Sequence, residues 1–189
     1  MKNLVNFLFE CGQLSRVDRS GWWLIGIKNP ETVSDHVYRS CIIAYILAKL
    51  EKADENKVLK ITLFHDIHET RLNDLHKVGH KYIDFRSAED VAFNDQIKLL
   101  PKDVHDELEG LFKNNTKDKT KEGVIVRDAD LLENSLTAKE YLHVGYKDAQ
   151  NWLDNISKAL RTNSAKKLFK IIIKSNPNEW WHYLKKAER

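Results

Sequence analysis

The 189-residue chain has only three prolines and seven glycines. So few backbone breakers exclude collagen-like, low-complexity and mostly disordered chains and leave room for uninterrupted helices. Cysteine is also scarce: Cys11 and Cys41 are too few for a disulfide scaffold, and in their apolar helical contexts they read as buried thiols of a reducing cytosol. No apolar run approaches the roughly 20 residues of a membrane span; the longest is CIIAYILA, 41–48. Near the N-terminus Glu10 interrupts the apolar residues and no small-residue cleavage site follows, so no signal peptide is expected. A strong charge excess is missing too, with 31 basic against 28 acidic residues. That balance tolerates an anionic small molecule but does not announce a surface for a nucleic-acid polymer.

What is present is 42% apolar and 31% charged residues, rich in Leu, Lys, Glu and Ala. The expectation is an all-α protein, residues 1–189 forming one domain. Leu4, Phe7, Leu8 and Cys11 have helical spacing and predict a first helix over 1–14. SRVDRSGWWLIGIKNPETVSDH breaks the period and reads as a loop, with Thr32 or Ser34 as cap of a long helix running to about Lys52. On that helix Val37, Cys41, Tyr45 and Ala48 form one apolar face, and His36 is in register with Ser40, Ile43 and Leu47. Asp54 is placed to cap the next helix, which runs through ENKVLKITLFHDIHE. Residues 70–83 read as a loop. Further helices are expected at 87–100, after Pro101, from about Thr120 to Tyr141, near 148–161 and 163–174, and after Pro177 with Trp180, Trp181 and Leu184 inward. The segment 113–123 reads as a solvated mobile loop.

The densest chemistry lies in LFHDIHETRLND, 63–74, with two histidines and three carboxylates where a helix leaves the core. His65 and Glu69 are i, i+4, and Asp66 and Glu69 are i, i+3, so they share a neighbourhood. A divalent cation at the edge between His65 and Asp66 can take an imidazole nitrogen and a carboxylate oxygen, with Glu69 one turn on. His36 is the natural third ligand. A fourth is expected from GVIVRDADLLEN, which offers Asp128, Asp130 and Glu133; periodicity does not choose among them. A lone inward histidine is most often a hydrogen-bonded core residue, and acidic residues at helix ends most often face water. Here several such placements coincide, and burying uncompensated carboxylates costs several kcal/mol each; a cation removes that cost.

The ordered elements GQLSRVDRSGWW, ETVSDH, HDIHETRLND and DLLE resemble the HD-domain metal-dependent phosphohydrolases, and within them the 5'-deoxynucleotidase group, over about residues 4–140. The resemblance implies a bundle of about seven to nine helices around a metal-containing cleft; the C-terminal helices 148–187, beyond its reach, are expected to pack on that core. It implies Asp130 as fourth ligand, completing His36, His65, Asp66 and Asp130. It implies Glu69 as acid/base and Asp74 as a second catalytic carboxylate that also contacts substrate. Arg19 and Trp22 fall in the substrate segment, where Arg16 competes for the arginine register. The family pattern often has glycine where Asn73 stands, before the loop aspartate.

The implied activity is hydrolysis of deoxyribonucleoside 5'-monophosphates by a cytoplasmic homodimer, away from membranes and nucleic-acid polymers. The cofactor is a divalent cation from among manganese, cobalt, iron, nickel, zinc and magnesium. Two other readings compete: phosphohydrolysis of another nucleotide, such as a triphosphate or signalling nucleotide, and a nonenzymatic helical module with a structural ion. His68, His76 and His80 have no family role and read as surface or supporting residues, His68 being an extra ligand if two ions bind.

Overall fold

The computed structural model describes residues 1–114, 119–182 and 184. Its α-helices are α1 (Lys2–Cys11), α2 (Val33–Glu51), α3 (Glu55–Phe64), α4 (Glu69–Leu72), α5 (Lys77–His80), α6 (Phe85–Ile97), α7 (Lys102–Asn114), α8 (Lys121–His143), α9 (Gln150–Ala159), α10 (Asn163–Ile172) and α11 (Glu179–His182). Three of the eleven are single turns of four residues, so eight longer helices build the bundle, within the expected seven to nine. Among the described residues there is no strand, only an isolated antiparallel bridge between Asp18 and Thr32.

The boundaries follow local chemistry. Thr32 is the N-cap of α2: its hydroxyl accepts from the Asp35 N–H while the Asp35 carboxylate accepts from the Thr32 N–H. Asp54, Asp84, Thr120 and Thr162 cap α3, α6, α8 and α10 in the simpler way, each worth about 1 kcal/mol. α1 stops at Cys11, short of the expected 14, because the chain tightens into a 3-10 turn over Gly12–Arg16.

The organising contact is α2 against α8, with α3 packed on both and α9 and α10 on the far side of α8. α8 is therefore buried around much of its circumference, through Ile125, Val126, Ala129, Leu132 and Ala138. Trp22, Leu47, Val58 and Leu153 join that core, and Phe7, Val33, Val37, Phe93 and Ile97 form a second one.

Some expectations need correction. On α2, Val37 and Ala48 of the expected face are buried but Tyr45 is exposed, and His36, Ser40, Ala44 and Leu47 are buried beside them. The stretch 70–83 contains two helical turns, α4 and α5, rather than loop alone. Trp180 and Leu184 are exposed, so the C-terminal turn does not bury them. The segment read as a mobile loop is bounded by the end of α7 at Asn114 and the Thr120 cap, and residues 115–118 lie outside the described residues.

Candidate active site and metal centre

α2 delivers His36 from its first turn, fully buried. Its Nδ1 lies 2.5 Å from Glu133 Oε2 on α8, and Arg39 Nε donates to Glu133 Oε1 at 2.9 Å. That grip on Nδ1 turns Nε2 toward the cleft. Burial pushes the Glu133 carboxyl up, but His36 and Arg39 outweigh it and hold it below the usual range. Burial and Arg19 disfavour a charged His36; the Asp130 and Glu133 carboxylates reverse this and push it up to about 10. In an ion-free cleft the imidazole thus keeps a proton where a cation would otherwise stand.

α3 ends at Phe64, and the chain winds tightly before α4, with Ile67 N donating to Phe64 O and Glu69 N to Asp66 O. Such i→i+3 winding nearly eclipses residues three apart. The continuous helix expected through 69 is therefore two helices with a tight turn between them, and the turn brings Asp66 and Glu69 to one side. His65 Nδ1 sits 2.7 Å from Thr62 O, which points Nε2 inward, 3.1 Å from Asp66 Oδ2. From α8, Asp130 Oδ1 reaches to 3.1 Å of His36 Nε2. Burial opposes the charged form of Asp130, yet His36, Arg19 and His65 hold its carboxyl well below the usual range.

The donor atoms of His36, His65 and Asp66 lie within 4.8 Å of one another. His36 Nε2 is buried without a well-aligned hydrogen bond, 3.7 Å from Asp66 Oδ2. Two imidazoles and the Asp66 carboxylate cluster here, with Asp130 Oδ1 against His36 Nε2; such a donor set suits a borderline divalent ion, and the residues fit such a group. Of the three acidic positions on α8, Asp130 faces this cluster and Glu133 supports His36 from behind. Asp128 faces away, accepting from the Arg161 and Thr162 N–H groups.

Beside this cluster opens a cavity of about 470 Å³ whose walls include Arg19, Trp22, Glu69, Asp74, Asn134 and Trp152. The Asp18–Thr32 bridge holds its entry segment, since Arg19 N donates to Glu31 O and Val33 N to Val17 O. Arg19, not Arg16, reaches the cleft: Nη1 is 3.8 Å from Asp74 Oδ1 and 4.0 Å from Asp66 Oδ2, and Nη2 donates to Asn134 Oδ1. Arg16 is exposed and pairs with Gln13. Asp74 Oδ2 accepts from Ser20 N at 2.6 Å. Glu69 is 5% exposed, and burial, then the charges of Asp66 and Asp74, push its carboxyl well above the usual range.

Trp22 is almost wholly buried, stacked on Trp152 with ring centroids 4.8 Å apart, its Nε1 donating to Glu31 Oε1. It is thus a core anchor that also forms cavity wall. Trp152 and Asn134 were not anticipated. Asn134, one turn after Asp130, had a spacing signal; nothing marked Trp152. His68 is buried rather than at the surface, its Nε2 3.4 Å from Glu89 Oε1. His76 caps α5, and His80 Nε2 contacts Leu75 O.

The HD-domain family profile matches residues 11–172. The 5'-deoxynucleotidase HDDC2 of Bos taurus is 32% identical over 141 residues, covering 74% of this chain and 68% of its own. The protein of the same name from Dictyostelium discoideum is 32% identical over 151 residues, covering 75% and 78%. Among solved structures, the PH0347 protein of Pyrococcus horikoshii superposes with a TM-score of 0.75 at 27% identity, covering 90% of this chain and 96% of that one. By profile, sequence and backbone together, the chain belongs to the HD-domain phosphohydrolases and to their HDDC2-like group.

Proposed function

We propose that this chain is a 5'-deoxynucleotidase, residues 1–189 working as one unit that cleaves deoxyribonucleoside 5'-monophosphates to deoxynucleoside and phosphate. Membership of the family makes it a divalent-metal-dependent hydrolase of phosphoric monoesters. The observation carrying the finer reading is the cluster of His36, His65 and Asp66, with Asp130 against His36, beside a cavity whose walls bring Arg19, Glu69 and Asp74. The cavity's 470 Å³ lies within the roughly 300–1,000 Å³ usual for small-molecule sites.

In the proposal His36, His65, Asp66 and Asp130 hold the ion. When bound, such an ion neutralises phosphate charge and lowers the pKa of water to near neutrality. Arg19 presents a planar fork to the phosphate, and the Asp66 and Asp74 carboxylates beside it keep it charged. Asp74, fixed by the Ser20 N–H, orients the attacking water or the sugar. Glu69, whose carboxyl burial and its acidic neighbours push well above the usual range, serves as the acid that gives a proton to the departing 5'-oxygen. Trp22 and Trp152 supply the wall beside the sugar and base.

The test is a phosphate-release screen over deoxy- and ribonucleoside mono- and triphosphates with manganese, cobalt, nickel, zinc, iron or magnesium added. Preferred release from deoxynucleoside 5'-monophosphates supports the reading; preferred cleavage of triphosphates or signalling nucleotides, or no release, replaces it. The resemblance also implies a cytoplasmic homodimer. Among the described residues no helix is long and apolar enough to cross a membrane. Tyr38, Ile42, Tyr45 and Ile46 leave an exposed apolar stripe along α2, which such a dimer would cover; sedimentation of Ile42→Glu against the parent chain tests it.

A further inference from the structure

We propose that Glu31 is a positioning residue that ties the nucleotide wall at Trp22 to the ion-binding histidine His36, one carboxylate setting both. The inference deepens the nucleotidase reading and rests on it.

The geometry supplies the argument. Glu31 directly precedes Thr32, the cap of α2, and stands behind Trp22, outside the cavity lining. Its backbone is held on both sides: its carbonyl accepts from Arg19 N at 3.0 Å, and its N–H donates to the Tyr141 hydroxyl at 3.2 Å. The carboxylate then reaches in two directions. Oε1 accepts from Trp22 Nε1 at 3.1 Å. Oε2 lies 3.1 Å from the Thr137 hydroxyl and 3.7 Å from Arg39 Nη2. The same two side chains hold Glu133. Thr137 Oγ1 is 3.0 Å from Glu133 Oε1, and Arg39 Nε reaches that oxygen at 2.9 Å. Glu133 Oε2 in turn grips His36 Nδ1. A polar chain thus runs from the cavity wall to the imidazole, and Glu31 is its middle member.

Each arm has a physical consequence. Trp22 is 1% exposed, and a buried indole N–H without an acceptor is costly. Loss of Oε1 therefore lets Trp22 shift, and the cavity wall with it. On the other arm, Arg39 divides its charge among Glu31, Glu133 and Glu140. With Glu31 uncharged, the guanidinium bears more fully on Glu133. Glu133 then supports the His36 Nδ1–H less, and Nε2 becomes a poorer metal ligand. Ligand-type atoms of Glu31, His36 and Glu133 lie within 4.8 Å of one another, so the lost negative charge acts in the same sense.

The experiment compares the parent chain, Glu31→Ala and Glu31→Gln at about pH 8. Burial, then the charge of Glu133, push the Glu31 carboxyl up to about 7, so at that pH it is ionised. Calorimetry reads manganese affinity of chelator-stripped protein; kcat and KM are read at saturating manganese on whichever nucleotide the phosphate-release screen selects. Glu31→Ala should weaken manganese about tenfold and raise KM about tenfold, with kcat near the parent's. Glu31→Gln keeps an acceptor for Trp22 Nε1 but not the charge, so KM should return close to the parent's while manganese stays weakened. A change in only one of the two quantities in Glu31→Ala overturns the tie between wall and ion, and a KM in Glu31→Gln as high as the alanine variant's overturns the Trp22 arm. Should Glu31→Ala fail to fold, Glu31→Gln decides: weakened manganese supports the proposal and parent-like affinity overturns it. Parent-like KM and affinity in both variants, with only a lower melting temperature, would make Glu31 a structural residue and overturn it too. A parent chain that cleaves no nucleotide overturns the nucleotidase reading together with the inference, an outcome visible before any variant is made.

Discussion

Asp128 and Asp130 stand two residues apart on α8, in regions that treat a carboxylate in opposite ways. At the α9–α10 junction, Asp128 is completely buried and accepts from the backbone N–H groups of Arg161 and Thr162. It is satisfied by the chain itself and acts as a tether for the entry to α10. On the cleft side, Asp130 faces His36 and lies among Asp66, Glu69 and Asp74, with Arg19 the nearby fixed cation. Backbone donors can satisfy one buried carboxylate, but a crowd of them needs a cation. The difference separates a carboxylate satisfied by backbone donors from one set among other carboxylates, the one proposed to hold the ion, more sharply than burial does.

The largest effect that would sharpen this contrast comes from the cleft. His65→Ala or Asp130→Asn should lose bound metal and lower turnover by about 10³-fold or more, with the far-UV spectrum retained; metal analysis beside a kinetic assay decides it. Glu69→Gln should keep the ion and lower kcat by about 10²- to 10³-fold. Unchanged turnover would remove Glu69 from the proton transfer.

The pH dependence comes next. In ion-free protein His36 is pushed up to about 10, so below that pH an entering ion must displace its proton. Metal affinity should rise about tenfold per pH unit through the neutral range and level off near 10. Calorimetry in buffers of different protonation enthalpy measures the released proton; a pH-independent affinity would contradict the His36 assignment.

Asp128→Asn belongs to the other region. It should cost about 1.5–3 kcal/mol of stability, the worth of hydrogen bonds to a charged acceptor, and leave metal content unchanged. Loss of metal in that variant would erase the distinction between the two aspartates. The smallest effect is at Asn73, whose φ of 61° and ψ of 165° fall in a region that suits glycine alone. Asn73→Gly should raise stability by about 1 kcal/mol, read by denaturant unfolding, while turnover is retained.

Sequence patterning reached the helices because their caps are local chemistry. Thr32 and Asp54 are visible as side chains before an apolar period, and each caps the helix it precedes. The inward His36 was legible from its register with Ser40 and Leu47. The choice of Asp130 over Asp128 was not, since both alternate with apolar residues on a helix buried around much of its circumference. The family's D-x-x-E motif favoured Asp130, and the packing of α2 and α10 against α8 puts the two side chains in different surroundings. The burial of His68 escaped for a related reason: the break after Phe64 re-aims every side chain up to Glu69, and one-turn helices such as α4 are too short to show a period. Trp152 meets Trp22 across 130 residues of chain, a contact that no local pattern encodes.

The most direct test is anomalous diffraction from a manganese-loaded crystal. The account predicts its strongest peak in contact with His36 Nε2, His65 Nε2 and carboxylate oxygens of both Asp66 and Asp130. A strongest peak elsewhere, or these four side chains turned from one another with the ion bound by other groups, would contradict it.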